Sequence, residues 1–239
     1  MKDVQCLQYG ALSSNTIDFV SPSASKSVPL HVFIHGGYWQ ALSKRESFFP
    51  AISALKNHMA FAAIDYTLCP EANIDQIVDE CCLALRLLFA QADELGFDRK
   101  RVVVSGSSAG AHLAAMACIN LEQDVRPAGA VLLSGIYELE PLIGTYVNEA
   151  IKMDTSIAHR NSPVFYELSN FPNTLIAWGA NETQEFILQS KYFADLLNRA
   201  GCEVTIFQMD KRNHFDIVFD IAQNSEILKK MHALVGIGG

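Results

Sequence analysis

Positive charge is scarce in this chain. Its 239 residues include 18 lysines and arginines against 26 aspartates and glutamates, which gives a formal net charge of −8. Proteins that bind nucleic acid or anionic lipid surfaces draw much of their affinity from basic side chains placed against phosphates. The charge balance therefore argues against nucleic acid and against a membrane surface as partners.

Long apolar runs are missing as well. The longest of them, such as residues 59–64, is far shorter than the roughly 20 apolar residues that a helix needs to cross a bilayer. The first ten residues also lack the apolar core of a signal peptide. The sequence therefore predicts neither a membrane-spanning segment nor secretion.

The cysteines show neither C-x-x-C pairing nor the spacing of metal ligands. Free thiols in a reducing compartment are the simpler interpretation, which predicts a cytoplasmic protein without a bound metal or organic cofactor. The six cysteines are Cys6, Cys69, Cys81, Cys82, Cys118 and Cys202.

About half of the residues are apolar, and we see no repeat or linker, so we expect one α/β domain over residues 1–239. Short apolar runs are typical of buried parallel strands, and segments with helical periodicity lie between them. This alternation predicts a mostly parallel sheet with helices on both faces. The predicted strands are 30–34, 60–65, 102–105, 128–133, 174–178 and 204–208; the predicted helices are 74–95, 109–121, 186–200 and 221–234. Antiparallel edge strands, including 17–20, are expected in the first thirty residues.

A G-x-S-x-G motif follows the predicted strand at 102–105 and precedes a helix of small residues. In this context the central serine, Ser108, is predicted to lie on a sharp turn with its hydroxyl exposed above the sheet. Gly106 and Gly110 would allow the close approach of strand and helix. The Ala109 N–H, at the helix N-terminus, could then stabilise an oxyanion.

A second glycine turn, His35-Gly36-Gly37-Tyr38-Trp39, follows the strand at 30–34 and resembles the oxyanion loop of lipases and esterases. The N–H groups of Gly37 and Tyr38 are the predicted donors beside Ala109, with Gly36 as the alternative. His35 is expected to brace this loop rather than to act as a base.

The order nucleophile, acid, histidine is typical of α/β-hydrolases, so the base must follow Ser108 at a distance. His214, in a polar loop after the strand at 204–208, meets this requirement better than His159 or His232. The acid should follow the strand at 174–178, where Glu182 is the first choice and Glu185 the alternative.

Five segments resemble the kynurenine formamidase (arylformamidase) family of α/β-hydrolases. The run 35–39 is similar to its HGGxW signature, and 65–71 (DYTLCPE) to its D-Y-x-L-x-P-E segment. Residues 134–142 resemble the stretch that follows a central strand, 182–190 the acid loop with its helix, and 213–216 the histidine loop.

The likeness extends over roughly residues 30 to 220 and implies a triad of Ser108, Glu182 and His214. It further implies an α/β-hydrolase fold with a small cap and hydrolysis of N-formyl-L-kynurenine to kynurenine and formate. Many members carry aspartate where this chain has Glu182. The alternative function is a carboxylesterase that acts on short acyl esters.

The pocket is less well defined by the sequence. Trp39 and His112 are predicted pocket residues, although each could instead pack in the core. Aromatic residues at 48–49 and Tyr146 could form a slot for an aryl ring. A small molecule is the expected partner, and a homodimer is a further expectation.

Overall fold

A computed structural model describes residues 4–22 and 27–237. Within these ranges eight strands form one continuous sheet. They are β1 (Gln5–Gln8), β2 (Thr16–Val20), β3 (Val28–Ile34), β4 (Ala60–Ile64), β5 (Phe97–Ser107), β6 (Gly129–Leu133), β7 (Asn173–Gly179) and β8 (Val204–Met209).

The strands lie in the order β1-β2-β4-β3-β5-β6-β7-β8. The pairs β1–β2 and β2–β4 are antiparallel, and every later pair is parallel. The predicted parallel strands and the antiparallel N-terminal edge are thus confirmed. Because β3, β5, β6, β7 and β8 run in one direction, the loops that follow them meet at one edge of the sheet.

Helices cover both faces of this sheet. They are α1 (Ala51–Lys56), α2 (Ile74–Ala90), α3 (Ala92–Leu95), α4 (Ala109–Asn120), α5 (Asn148–Ile151), α6 (Thr155–Arg160), α7 (Gln184–Arg199) and α8 (Glu226–Leu234). Buried side chains of α2, α4 and α7 join the core on one face, whereas α1 and α8 join the core on the other. None of these described helices combines the length and the apolar character needed to cross a membrane.

Strand β3 shows how one apolar run serves both cores. Leu30, Val32 and Ile34 face the α2–α4–α7 side, and Phe33 faces the α1–α8 side. Side chains alternate between the faces of a strand, so a strand covered on both sides carries apolar side chains on both faces. The near-continuous apolar pattern that predicted these strands has this physical cause.

The helix boundaries differ most from the predicted ones in two places. The predicted helix 74–95 is divided into α2 and α3, and it ends where Gly96 takes up a left-handed conformation with φ of 79°. The predicted helix 221–234 starts later, at Glu226. The hydroxyl of Ser225 accepts a hydrogen bond from the Leu228 N–H and caps α8, while residues 217–221 form a 3-10 turn.

Candidate active site

Ser108 lies on the sharp turn between β5 and α4. Its backbone has φ of 58° and ψ of −122°, a conformation that is rare for a residue with a side chain. The Ser108 N–H donates to the carbonyl of Leu133 at 2.8 Å, which ties the turn to β6. A strained residue of this kind persists only where the surrounding structure fixes it, and such residues cluster at functional sites.

The two glycines of the motif are required by close backbone contacts. A Cβ on Gly106 would lie 2.2 Å from the carbonyl oxygen of Gly110. A Cβ on Gly110 would lie 2.1 Å from the carbonyl oxygen of Ile34. Neither distance is tolerable, so the turn can bring Ser108 beside the end of β3 only with glycine at both positions.

The other two serines of the motif differ in surroundings. Ser105 is fully buried, and its hydroxyl lies 2.6 Å from Nε2 of His31 within the sheet. Ser107 lines the same cavity as Ser108. Only Ser108 stands at the strained turn with the N-terminus of α4 directly after it.

The glycine turn after β3 lies against Ser108. A Cβ on Gly36 would be 2.6 Å from the carbonyl oxygen of Ser107 and 3.4 Å from Cβ of Ser108. Gly37 has φ of 94°, and its carbonyl accepts hydrogen bonds from the N–H groups of Gln40 and Ala41. The turn therefore folds back on itself and lies directly beside Ser108.

The predicted oxyanion donors are available for a ligand. Among the described residues, the backbone N–H groups of Gly36, Gly37, Tyr38 and Ala109 donate to no loop or capping acceptor. Gly36, Gly37 and Tyr38 line the cavity with Ser108, and Ala109 opens α4 beside them. Pre-positioned N–H groups of this kind can meet a developing negative charge without reorganisation.

His35 braces this loop. Its Nδ1 atom lies 3.0 Å from the carbonyl oxygen of Gly36, and its ring stacks on Tyr66 with 4.0 Å between the ring centres. The Tyr66 hydroxyl donates to the His35 carbonyl at 2.9 Å, and Asp65 lies 3.4 Å from the His35 Nε2 atom. The segment that follows β4 therefore supports the glycine turn from behind.

Glu182 contacts His214. The Glu182 Oε2 atom lies 3.0 Å from Nδ1 of His214, while Oε1 accepts from the Ser134 hydroxyl at 2.5 Å and from the Gly179 N–H at 2.6 Å. The Glu182 side chain has no exposed surface. Burial raises the pKa of Glu182, but the hydrogen bonds from His214, Ser134 and Gly179 outweigh it and hold the pKa below its ordinary value. Glu182 is therefore an ionised carboxylate at neutral pH.

The alternative acids and bases lie elsewhere. Glu185 is exposed in the first turn of α7. Asp216 accepts from the Asn213 N–H at 2.6 Å and thereby shapes the histidine loop. His159 stacks on Phe165, and His232 is buried in α8. Of the predicted candidates, the structure brings Glu182 and His214 together.

A cavity of about 710 Å³ opens above Ser108. Ser108, Glu182 and His214 all contribute to its lining, although within the described residues no hydrogen bond joins the Ser108 hydroxyl to His214. Such bonds often tighten only once substrate is present. Aromatic rings dominate the rest of the wall: Phe33, Tyr38, Phe49, Tyr146, Phe186, Phe215 and Phe219.

Aromatic pairs organise this wall. Phe49 meets Phe219 edge to face at 5.2 Å, and Phe186 packs against the His214 ring at 4.0 Å. Phe49 and Tyr146 thus lie where the predicted aryl slot requires them. Phe48 does not, because it packs edge to face on Phe61 in the core.

The placement of Trp39 and His112 in the pocket was wrong. Both side chains are fully buried, and neither contributes to the cavity wall. Instead the Trp39 indole N–H donates to His112 Nδ1 at 3.2 Å. Sequence spacing placed both residues near Ser108, but it did not determine the direction in which their side chains point.

Ser134 was missed by the sequence reasoning. It lies directly after β6, is fully buried, and has φ of 47°. Its role as donor to Glu182 joins residues 48 positions apart. The one available signal was its place at the carboxyl end of a strand that neighbours both β5 and β7.

These groups together can support acyl transfer. A hydroxyl lies on a strained turn, an imidazole contacts a buried carboxylate, and the residues of the glycine turn line the same cavity. These are the parts that nucleophilic catalysis at a carbonyl carbon requires.

Comparison with known proteins agrees with this geometry. A family model described as BD-FAE matches residues 17–130. The kynurenine formamidase of Danio rerio is 34% identical over 234 residues, which cover 93% of this chain and 78% of the relative.

Solved structures show the same fold. A proposed thioesterase from Silicibacter sp. TM1040 superposes with a TM-score of 0.83 at 29% identity, covering 96% of this chain and 84% of that one. A hyperthermophilic esterase from Pyrobaculum calidifontis superposes with a TM-score of 0.79 at 19% identity, covering 93% and 80%. The predicted α/β-hydrolase fold is confirmed, and the chain resembles hydrolases throughout.

Proposed function

The chain belongs to the kynurenine formamidase family, and we propose on this basis that it is a serine hydrolase that converts N-formyl-L-kynurenine to L-kynurenine and formate. One structural observation carries the proposal. Ser108, His214 and the free N–H groups of the glycine turn all border a single cavity, and the ionised Glu182 lies behind His214. A role in tryptophan breakdown follows from that substrate.

The first half of the reaction forms an acyl-enzyme. Glu182 accepts the Nδ1 proton of His214 in a hydrogen bond, which leaves Nε2 with a free lone pair to take the Ser108 proton. The Ser108 oxygen attacks the formyl carbon, and the N–H groups of Gly37, Tyr38 and Ala109 stabilise the oxyanion. His214 then returns the proton to the departing arylamine as the carbon–nitrogen bond breaks.

The second half releases formate. Water enters in place of the arylamine, His214 removes its proton, and the resulting hydroxide equivalent attacks the formyl ester on Ser108. The ester bond breaks, and the Ser108 oxygen recovers its proton from His214. The ionised Glu182 stabilises the imidazolium in both halves, and no group outside the protein other than water is consumed.

The wall of the cavity favours an aryl substrate. The rings of Phe49, Phe219 and Phe186 offer apolar surface and edge-to-face contacts to a planar ring. A formyl group is the smallest acyl group, and it would lie over Ser108 while the ring occupies the aromatic wall.

Hydrolysis of short acyl esters is the second candidate, supported by the solved structures of the thioesterase and the esterase. The same nucleophile and oxyanion donors serve both reactions. A comparison of kcat/KM for N-formyl-L-kynurenine and for p-nitrophenyl acetate tests the choice. We expect the formamide to be preferred, and a large preference for the ester would overturn the formamidase proposal.

Covalent labelling tests the nucleophile separately. A fluorophosphonate probe should label the wild-type protein, and Ser108→Ala should remove the label. Ser107→Ala is the matched control, because Ser107 lines the same cavity but is not at the strained turn. Labelling that survives in Ser108→Ala would contradict the assignment of the nucleophile.

A cytoplasmic location and a homodimer stay predictions. Fractionation of cells that express the tagged protein tests the first, and light scattering coupled to size-exclusion chromatography tests the second.

A further inference from the structure

Three consecutive residues of the oxyanion loop have left-handed backbones. Gly37, Tyr38 and Trp39 have φ of 94°, 50° and 59°. Glycine adopts such angles without penalty, but Tyr38 and Trp39 do so at a conformational cost. A loop of this kind keeps its shape only if its neighbours hold it in place.

Trp39 is the residue by which the loop is held. Its backbone carbonyl accepts from the Cys69 N–H at 2.8 Å, and its indole N–H donates to His112 Nδ1 at 3.2 Å. The indole and imidazole rings are perpendicular, with 5.1 Å between their centres. Both side chains are fully buried, so water offers the indole N–H no alternative partner.

His112 belongs to the helix that follows the nucleophile. It lies one turn beyond Ser108 in α4, and its own N–H donates to the Ser108 carbonyl at 3.2 Å. On its other side, His112 Nε2 donates to the carbonyl of Asn161 at 2.7 Å, which leaves Nδ1 as the acceptor. Burial lowers the pKa of His112 to about 4, so the ring is neutral at neutral pH and keeps this acceptor.

We propose that Trp39 and His112 are a pair of positioning residues whose hydrogen bond fixes the oxyanion loop relative to Ser108. The pair touches neither substrate nor cavity. It joins the loop that carries the Gly37 and Tyr38 donors to the helix that carries the Ala109 donor. The proposal rests on the proposed function only in requiring that these N–H groups stabilise an oxyanion.

The physical consequence is confined to the transition state. Donors displaced by a fraction of an ångström still border a cavity that binds the ground state, but they no longer meet the developing charge. Loss of the Trp39–His112 bond should therefore lower kcat and leave KM nearly unchanged.

Trp39→Phe tests this directly, and Trp178→Phe is its matched control. Each variant keeps an aromatic ring and removes one buried indole N–H, because the Trp178 indole donates to Gln208 at 3.4 Å, away from the loop. We expect Trp39→Phe to lower kcat about 10- to 100-fold, because the oxyanion donors are misplaced but not removed. Trp178→Phe should leave kcat within about twofold, since it alters a contact outside the site.

A transition-state mimic separates positioning from general damage. An aryl trifluoromethyl ketone forms a hemiketal with the serine and places its oxyanion among the same donors. Its affinity for Trp39→Phe should fall by the factor by which kcat/KM falls. The concentration of active sites is determined by titration with a fluorophosphonate, and the melting temperature of each variant is measured. Unfolded protein is thereby left out of the comparison.

His112→Phe keeps the test valid if Trp39→Phe does not fold, because it removes the acceptor and retains a ring. If both residues act through one bond, the double variant should lose no more kcat than the worse single variant. Assays with p-nitrophenyl acetate keep the two proposals distinct, since ester hydrolysis needs the same donors. An unchanged kcat, a loss equal to that of Trp178→Phe, or unaltered affinity for the ketone would overturn the positioning role.

Discussion

Ser134 shows how one buried hydroxyl supports the Glu182 carboxylate. It donates to the Glu182 oxygen that does not face His214, and Gly179 donates to the same oxygen. A hydrogen bond to a charged group contributes roughly 1.5 to 3 kcal/mol. Ser134 therefore keeps the carboxylate both ionised and in place.

We predict that Ser134→Ala lowers kcat by about 10-fold or more, because a charge-assisted hydrogen bond is lost. The pKa of Glu182 should rise, because one of the hydrogen bonds that lower it is lost. Ser134→Gly is the control for backbone strain, since glycine accepts the φ of 47° freely. If the Gly variant retains full activity, the hydroxyl is not what matters.

Removal of the Glu182 charge should be more severe. Glu182→Gln is expected to lower kcat on the order of 10³- to 10⁴-fold, because the imidazole loses its orienting carboxylate. Glu185→Gln, on the exposed start of α7, should leave kcat unchanged. Equal losses in both variants would contradict the assignment of the acid.

Glu182→Gln should also change how the unfolding free energy depends on pH. The folded-state pKa of Glu182 lies below its ordinary value of 4.5, so the ionised form stabilises the fold above that pH. This contribution is lost as the pH falls through the folded pKa. The difference in unfolding free energy between wild type and Glu182→Gln, measured with urea, should be largest at neutral pH and shrink below pH 4.5.

At the scale of elements, the junction of β3, β5 and α4 sets the position of Ser108. Gly110→Ala would place a methyl group 2.1 Å from the Ile34 carbonyl oxygen, so the helix and strand must separate. We expect a loss of about 1 to 3 kcal/mol in unfolding free energy, as for overpacking, together with loss of activity. Thermal and urea unfolding measure the loss of unfolding free energy.

Gly144→Ala is the matched control for that substitution. A Cβ on Gly144 has nothing within 4 Å, so the unfolding free energy should change by less than about 0.5 kcal/mol. A Gly110→Ala protein as stable and active as Gly144→Ala would show that the junction is not tightly packed.

The elements that could be predicted from sequence are those with a local signal. The apolar runs of the parallel strands, the turn at Ser108 and the glycine loop each carry their pattern within a few residues. The glycines at 106 and 110 followed from the steric demands of the turn, and the structure shows the contacts that impose them. The short helices α1, α5 and α6 were not predicted, because four to six residues hold too little periodicity to indicate a helix.

Contacts between distant segments could not be predicted in the same way. The choice of Glu182 over Glu185 depended on strand order and family resemblance, whereas the contact with His214 requires the register of β7 and β8. Ser134 and the Trp39–His112 bond depend on side-chain direction, which spacing alone does not determine. These contacts can be identified only from the folded structure.

At the scale of the whole molecule, burial of neutral histidines connects stability to pH. Burial, aided by the nearby His232, lowers the pKa of His31 to about 3, and burial lowers that of His112 to about 4. The ordinary pKa of both side chains is 6.5. Between that pH and the lowered pKa values, the unfolded chain binds protons that the folded chain does not. Stability is therefore full above pH 6.5 and falls as the pH drops through that window.

We predict that the unfolding free energy falls by about 2 to 3 kcal/mol per pH unit between pH 6 and 5, since each of the two histidines contributes about 1.4 kcal/mol per unit. Urea unfolding at a series of pH values measures this slope. His31→Gln should make the slope shallower by about 1.4 kcal/mol per pH unit, because it removes one of these titrations. His58→Gln is the matched control, since His58 is exposed, and it should leave the slope unchanged. A wild-type stability that stays flat from pH 6.5 to 5 would mean that these histidines gain protons without unfolding, and hence that the two cores of the sheet admit water where the structure shows them closed.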